Sequence, residues 1–311
     1  MRALVLGGHG FLGRSVAAAL AARGHGVEVG SRALRRTGLG FRVRLIRFES
    51  HLTSDSWLPA LDGVDAVVNC VGILRERGRE TYERVHHLAP AALASACARL
   101  GLRLVHVSAL GLSARAQSGF IASKLRAEAA IRASGADYTI ARPSLLDGEG
   151  GFGARWLRAM ARWPVHCVPA DARGRIAMLH VEDAGVAIAR LCELPGAAHR
   201  EADLGGSDWR TLDRHLAALR GEEARVVRIP APLSRIASHL CDLAHVSPFS
   251  FGHLELLRHD NVPRHDVLAS LLGRPPRRVT AVRAAASARD PAILPPTRAR
   301  DGGSTPSARA P

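Results

Sequence analysis

Ala3-Leu4-Val5-Leu6-Gly7-Gly8-His9-Gly10-Phe11-Leu12-Gly13 is a short apolar run, a cluster of glycines and the start of an Ala/Leu-rich segment that continues to Ala22. An apolar run of that length with no alternation reads as a strand buried on both faces, and the segment from Phe11 to Ala22 reads as a helix. The glycines therefore fall at a strand-to-helix bend. They can be read as GxxGxxG from Gly7 or as GxGxxG from Gly8. Backbone N–H groups at a helix N-terminus carry positive partial charge, and a Cβ in their path would hold a diphosphate away. Gly13 in addition lets the helix lie close to the strand. The bend predicts a dinucleotide site formed by Gly7, His9, Gly10, Phe11, Leu12 and Gly13.

The same pattern repeats outward from this bend. Strands are expected at Gly26–Val29, Val43–Phe48, Asp65–Asn69, Leu102–Val107 and Tyr138–Ala141. Helices are expected between them at Trp57–Leu61, Tyr82–Leu100 and Ile121–Ala133. Buried strands joined by helices predict an α/β fold, a doubly wound parallel sheet whose ligands lie at the carboxyl ends of the strands. The second strand runs into Gly30-Ser31-Arg32, with Arg35 and Arg36 beyond. An NAD site wants a carboxylate at that tip for the ribose hydroxyls, and Glu28 comes two residues too early. Ser31 and Arg32 suit a 2′-phosphate, so NADP(H) is favoured over NAD(H).

After Pro143 the pattern loosens. Four glycines fall between Gly148 and Gly153, a short helix is expected at Trp156–Trp163 and another at Ala184–Cys192, and Trp209–Leu272 reads as helical with a break at Pro230-Ala231-Pro232. The expected organisation is a nucleotide domain over 1–147 and 176–204, and a small, mainly helical substrate-side region over 148–175 and 205–273. A disordered basic tail is expected over 274–311.

Charge and composition remove other classes. The net charge is +15, but the 43 basic residues include a single lysine, Lys124, and the tail alone holds eight arginines against two aspartates. No basic block with interleaved aromatics is present, so nucleic acid is not an expected partner. Five cysteines without a CxxC pair offer neither a disulfide framework nor a zinc knuckle. His86 and His87 diverge by about 100° on a helix, and Cys241 with His245 lacks a third ligand, so no metal is expected. With no apolar leader and no long apolar run, the expected location is the reduced cytoplasm.

Several segments together resemble the short-chain dehydrogenase/reductase superfamily, in its extended, atypical, epimerase/dehydratase-like branch with a Rossmann sheet. They are Gly7–Gly13, Asn69-Cys70-Val71-Gly72, Val107-Ser108-Ala109, Arg142-Pro143-Ser144 and His180-Val181-Glu182-Asp183. Thr81–His86, Ser247-Pro248-Phe249 and Glu255–Val262 are similar to bacterial relatives of the nucleotide-binding accessory subunit of respiratory complex I. The resemblance implies that Cys70, Val71, Gly72 and Pro143 line the cofactor, that Ser108 is catalytic, and that Lys124 holds the ribose and assists catalysis. It also implies an oxidoreductase or epimerase acting on a small carbonyl or sugar-nucleotide-like substrate, as a monomer or homodimer. One departure stands out. The family's YxxxK reads here Phe120-Ile121-Ala122-Ser123-Lys124, so the phenol is missing. Either Ser108, Ser123, His180 or a water replaces it, or the chain is a non-catalytic NADPH sensor or respiratory-complex assembly factor. The accessory-subunit likeness implies a respiratory-complex or peripheral inner-membrane contact, with the basic tail on anionic lipid.

Overall fold

The computed structural model describes residues 1–33, 40–244 and 249–278. Arg35, Arg36, Ser247, Pro248 and the tail from residue 279 lie outside the described residues. The nucleotide half runs β1 (Arg2–Leu6), α1 (Phe11–Ala22), β2 (Gly26–Ser31), β3 (Arg42–Leu45), α2 (Ser54–Trp57), β4 (Ala66–Asn69), α3 (Ala89–Leu100), β5 (Arg103–Val107), α4 (Gly119–Ala133) and β6 (Asp137–Pro143). A wide, π-type helical turn at Glu83–Leu88 leads into α3. Then follow β7 (Leu146–Asp147), α5 (Phe152–Ala161), β8 (Val165–Pro169), β9 (Ile176–Ala177), β10 (Leu179–His180), α6 (Val181–Glu193), β11 (Glu201–Leu204), β12 (Trp209–Arg210), α7 (Leu212–Arg220), β13 (Arg225–Ile229), α8 (Ala231–Ala244), α9 (Phe251–Arg258) and α10 (Leu268–Leu272).

Seven strands pair in the order β11-β6-β5-β4-β1-β2-β3, every pair parallel. Alternate residues of a strand face opposite sides, so both faces need a cover. Val5 packs with Val16 and Leu20 of α1 and Ile188 of α6, whereas Leu4 and Leu6 pack with Trp57, Leu93 and Leu104 on the other face. The chain reverses its direction of winding between β1 and β4, and the crevice outside that point is where such sheets bind ligands. Register sets the rest: Leu6 pairs with Gly30 and with Asn69, and Asn69 with His106. Gly7, Ser31, Cys70 and Ser108 therefore leave the sheet along one edge, on strands about 5 Å apart.

A smaller apolar cluster, including Leu157, Val168, Ile176 and Leu216, joins α5, β8 and α7. The strands from β7 onward escaped the sequence reading, two of them with consequences for the architecture. β11 closes the parallel sheet, and β13 interrupts the expected helical stretch to pair with β8. Arg225-Val226-Val227-Arg228 is exposed at every position and shows no period, which is why its β-branched residues gave no strand signal. The expected third strand stops at Leu45, and Phe48 turns into the core from a short 3-10 turn. Arg274 and Arg277, at the start of the expected tail, pair with Asp183 at the head of α6.

Candidate functional site

The glycine bend is a cradle of bare backbone. Gly7 sits at φ +73°, and its amide donates to the Gly30 carbonyl at 3.1 Å. The Gly10 amide donates to the Gly7 carbonyl at 2.8 Å, which closes the turn. A Cβ at Gly8 would stand 2.5 Å from Val29 Cγ1, and one at Gly13 would collide with the Gly7 carbonyl oxygen. Gly10 is exposed and is the N-cap of α1; no side chain caps that helix and no acid occupies its first turn. The amides of Phe11, Leu12 and Gly13 thus face the edge of the sheet without an internal acceptor.

The tip of β2 is tied to this cradle. His9 Nδ1 and Ser31 Oγ share a hydrogen bond of 2.8 Å, while the buried His9 Nε2 has no partner. Arg32 forms an ion pair with Glu80 and keeps its side chain 65% exposed. Glu28 is engaged by Arg44 and Arg42, away from the tip. Across the crevice, Asn69 Oδ1 accepts from the Val71 amide at 3.1 Å and shapes the Cys70-Val71-Gly72 turn. A Cβ on Gly7 would lie 3.1 Å from the Cys70 carbonyl oxygen, so the two loops close on each other.

The second part of the site is built from side chains. Phe120 and Lys124 are one turn apart on α4, both 8% exposed, with Lys124 Nζ 5.6 Å from the Phe120 ring centroid. Tyr82, His86 and His253 surround the Phe120 ring at centroid distances of 5.8, 5.3 and 5.6 Å. Gly252 of α9 lies directly against it, since a Cβ there would be 3.0 Å from Phe120 Cβ. His86 Nε2 accepts from the Ile73 amide at 3.0 Å, so its Nδ1–H faces Ser123 Oγ. His106 Nδ1 accepts from Asn69 Nδ2 at 3.1 Å. Burial, with Lys124 adding to it, holds His86 well below the usual imidazole range and His106 at about 3. Burial likewise takes His253 to about 4. All three imidazoles are neutral near pH 7.

Lys124 is the cation among them. Burial lowers its pKa to about 8, only partly opposed by Glu128 one turn on. No ion pair or hydrogen bond engages its ammonium among the described residues. Glu128 is committed elsewhere: Arg142 grips it twice, at 2.9 and 2.6 Å, and Arg132 at 2.9 Å. Desolvation raises the Glu128 pKa, but these partners outweigh it and keep the carboxylate ionised. Ser108 is 5% exposed; its hydroxyl helps Glu128 stay ionised yet meets no partner at hydrogen-bonding geometry.

The remaining expected residues fall as follows. Pro143 ends β6, and its carbonyl accepts from the Leu110 amide at 3.0 Å, beside the loop that follows Ser108. His180 caps α6 through its Nδ1 and is surrounded by Asp147, Asp183, Arg158 and Arg277, apart from the Phe120 cluster. His86 and His87 point apart, the first inward and the second to Glu83. Sequence reading missed Tyr82, whose hydroxyl donates to the Leu74 carbonyl at 2.8 Å, and His253. It also missed Asn261, which accepts from Ser144 Oγ at 2.6 Å and donates to the Leu110 carbonyl at 2.8 Å. Tyr82 and Asn261 fall within the Thr81–His86 and Glu255–Val262 segments of the resemblance, but nothing in those segments marks a role for either, and His253 belongs to no motif. A cavity of ≈ 180 Å³ lies between the Gly111–Gln117 loop and Arg235, Glu255 and Arg258.

Comparison with known proteins agrees with this geometry. An NAD(P)H-binding family model matches residues 7–159. A ceramide reductase of Caulobacter vibrioides is 32% identical over 247 residues, 76% of each chain. Subunit 9 of the NADH dehydrogenase 1 alpha subcomplex of Dictyostelium discoideum is 26% identical over 77% of this chain and 70% of its own. Among solved structures, the UDP-glucuronic acid 4-epimerase of Bacillus cereus superposes with a TM-score of 0.61 at 15% identity, over 90% of this chain and 95% of its own. That superposition is a likeness of fold.

Proposed function

The chain belongs to the NAD(P)H-binding, atypical short-chain dehydrogenase/reductase family, and from that premise we propose that it grips NADP(H) along the carboxyl edge of its sheet and reduces a carbonyl group without the family's phenol. The residues present fit a dinucleotide. The cradle is one that any Cβ would fill, and the buried His9 Nε2 and Ser108 Oγ wait for partners. When bound, the nicotinamide supplies a hydride to the carbonyl carbon. Phe11, Leu12 and Gly13 would offer amides to the diphosphate past the bare Gly10, Ser31 and Arg32 would hold the 2′-phosphate, and Val71, Gly72 and Pro143 would line the ring.

The proton must come from the protein. Ser108 donates a hydrogen bond to the carbonyl oxygen, and Lys124, rather than Phe120, gives the proton to it. One observation carries this reading: the chain's single lysine is buried, with no ion pair or hydrogen bond to its ammonium among the described residues, and burial brings its pKa down to about 8, which suits a general acid at physiological pH. The Caulobacter relative makes ceramide-type lipids the first carbonyl class to try. The test is NADPH consumption by the purified chain with such substrates, for wild type and Lys124→Met. Turnover that survives in Lys124→Met contradicts the assignment of the proton.

A second reading rests on Phe120, which Gly252 and His253 of α9 pack against. There the chain binds NADPH without turnover and presents it to a partner, as an accessory or assembly protein of a respiratory complex. Tight NADPH binding with no carbonyl reduced would favour it.

A further inference from the structure

The tip of β2 carries a cation and, brought from another part of the chain, an anion. Arg32 leaves β2 at the edge of the crevice, and its ion-pair partner among the described residues is Glu80, 48 positions on. Glu80 sits on a hairpin of its own. The Arg77 amide donates to the Glu80 carbonyl at 3.0 Å and the Glu80 amide to the Arg77 carbonyl at 2.9 Å, with Gly78 at φ +53° making the bend. Glu76, the other acid of this hairpin, is engaged by the Tyr82 amide at 2.6 Å. Arg77 and Arg79 flank Glu80 in sequence, yet neither forms an ion pair with it among the described residues; the carboxylate goes to Arg32. Glu80 is 23% exposed against 65% for Arg32, so the hairpin fixes the carboxylate and the longer side chain comes to it.

A 2′-hydroxyl and a 2′-phosphate ask opposite things of such a tip. A hydroxyl donates to a carboxylate, which is why NAD sites place an acid beside the ribose. A phosphate dianion pairs with a guanidinium and is repelled by a carboxylate. β2 brings no free acid to its tip, since Glu28 is held by Arg44 and Arg42. Glu80 brings one from the segment that follows β4. A 2′-phosphate arriving at Arg32 therefore finds the guanidinium already engaged, with a negative charge in ion-pair contact with it.

We propose that Glu80 is a specificity-determining residue of the dinucleotide site: it competes with the 2′-phosphate of NADP(H) for Arg32 and accepts from the 2′-hydroxyl of NAD(H), which keeps the preference between the two narrow. The inference rests on the reading above that Arg32 meets the 2′-phosphate. The experiment is fluorescence titration of the full chain with NADPH and NADH, at one ionic strength and at a temperature where thermal unfolding shows every protein folded. It compares wild type, Glu80→Gln, Arg32→Ala and the double variant. Glu80→Gln keeps the size of the side chain and loses its charge, so it binds NADPH about fivefold more tightly and NADH no more tightly than wild type does. In the Arg32→Ala background the same substitution changes NADPH affinity by less than about twofold, because no guanidinium is left to compete for. An unchanged or weaker NADPH affinity in Glu80→Gln overturns the proposal. Equal gains for both dinucleotides overturn it too, since the carboxylate would then only repel the diphosphate, and so does an undiminished gain in the Arg32→Ala background. If Arg32→Ala leaves NADPH affinity unchanged, the 2′-phosphate reading fails and takes this proposal with it. A loss there without a gain in Glu80→Gln defeats this proposal alone.

Discussion

The Gly7–Gly13 bend and the Phe120–Lys124 turn lie at heads of two helices on one sheet, and they are made in opposite ways. The first works by having no side chains: four glycines within seven residues, a backbone turn closed by a 2.8 Å hydrogen bond, amides left bare. The second is crowded with side chains from distant segments, Tyr82, His86, His106 and His253, with Glu128 one turn on in the same helix. A backbone grip is a local property and tolerates no added atom. A side-chain chamber is a long-range property, and its chemistry depends on which groups are charged.

The sharpest break of that contrast is Gly13→Ala. Its methyl would run into the Gly7 carbonyl oxygen, so we expect NADPH affinity to fall by more than about 100-fold and stability by about 2–3 kcal/mol, read by nucleotide titration and thermal unfolding. Lys124→Met should do the reverse to stability. Burial penalises the charged form, so the wild-type apoprotein gains stability as pH climbs from about 8 toward the ordinary lysine value of 10.5. Removing the charge should therefore stabilise the apoprotein at pH 7 by about 2 kcal/mol while lowering NADPH affinity about tenfold and stopping turnover. A variant with a lower melting temperature would show that Lys124 is structural.

pH offers a third probe. Protonated Lys124 dominates below about 8, so turnover and NADPH affinity should hold from pH 6 to 7.5 and fall about tenfold by pH 9. A flat profile across pH 8 would remove Lys124 from the chemistry. The smallest effect is at the tip of β2. Arg32 is exposed and shared with Glu80, so Arg32→Ala should weaken NADPH about fivefold and leave NADH within twofold. Equal losses for both dinucleotides would place Arg32 away from the 2′-phosphate.

What was legible follows the same division. Strand, bend and first helix were readable to within a residue because each signal is local: apolar run, glycines, Ala/Leu period. The parallel sheet followed from strands apolar on both faces. β13 was not readable, because an exposed ribbon carries no burial period. The lone lysine and the missing phenol were visible as residues, but their surroundings were not. Tyr82 lies 38 positions from Phe120 and is separated from it by a whole strand and helix, yet the rings meet edge to face. The exposed stripe Leu233, Ile236 and Leu240 of α8 was hidden for another reason: aliphatics at helical spacing look like a core face until the structure turns them outward.

The central claim is that the bare amides after β1 hold a dinucleotide phosphate, and Gly10 tests it most directly. It is exposed with φ −72° and ψ 172°, a backbone any residue adopts, and an added Cβ would meet only the Gly7 carbonyl oxygen, at 3.0 Å, so Gly10→Val should fold with a modest loss of melting temperature. Fluorescence titration with NADPH and NADH should give saturable, one-to-one binding to wild type, tighter for NADPH, and no saturation for Gly10→Val at a temperature where thermal unfolding shows it fully folded. Equal binding by that variant, or no binding of either dinucleotide by wild type, would contradict the account.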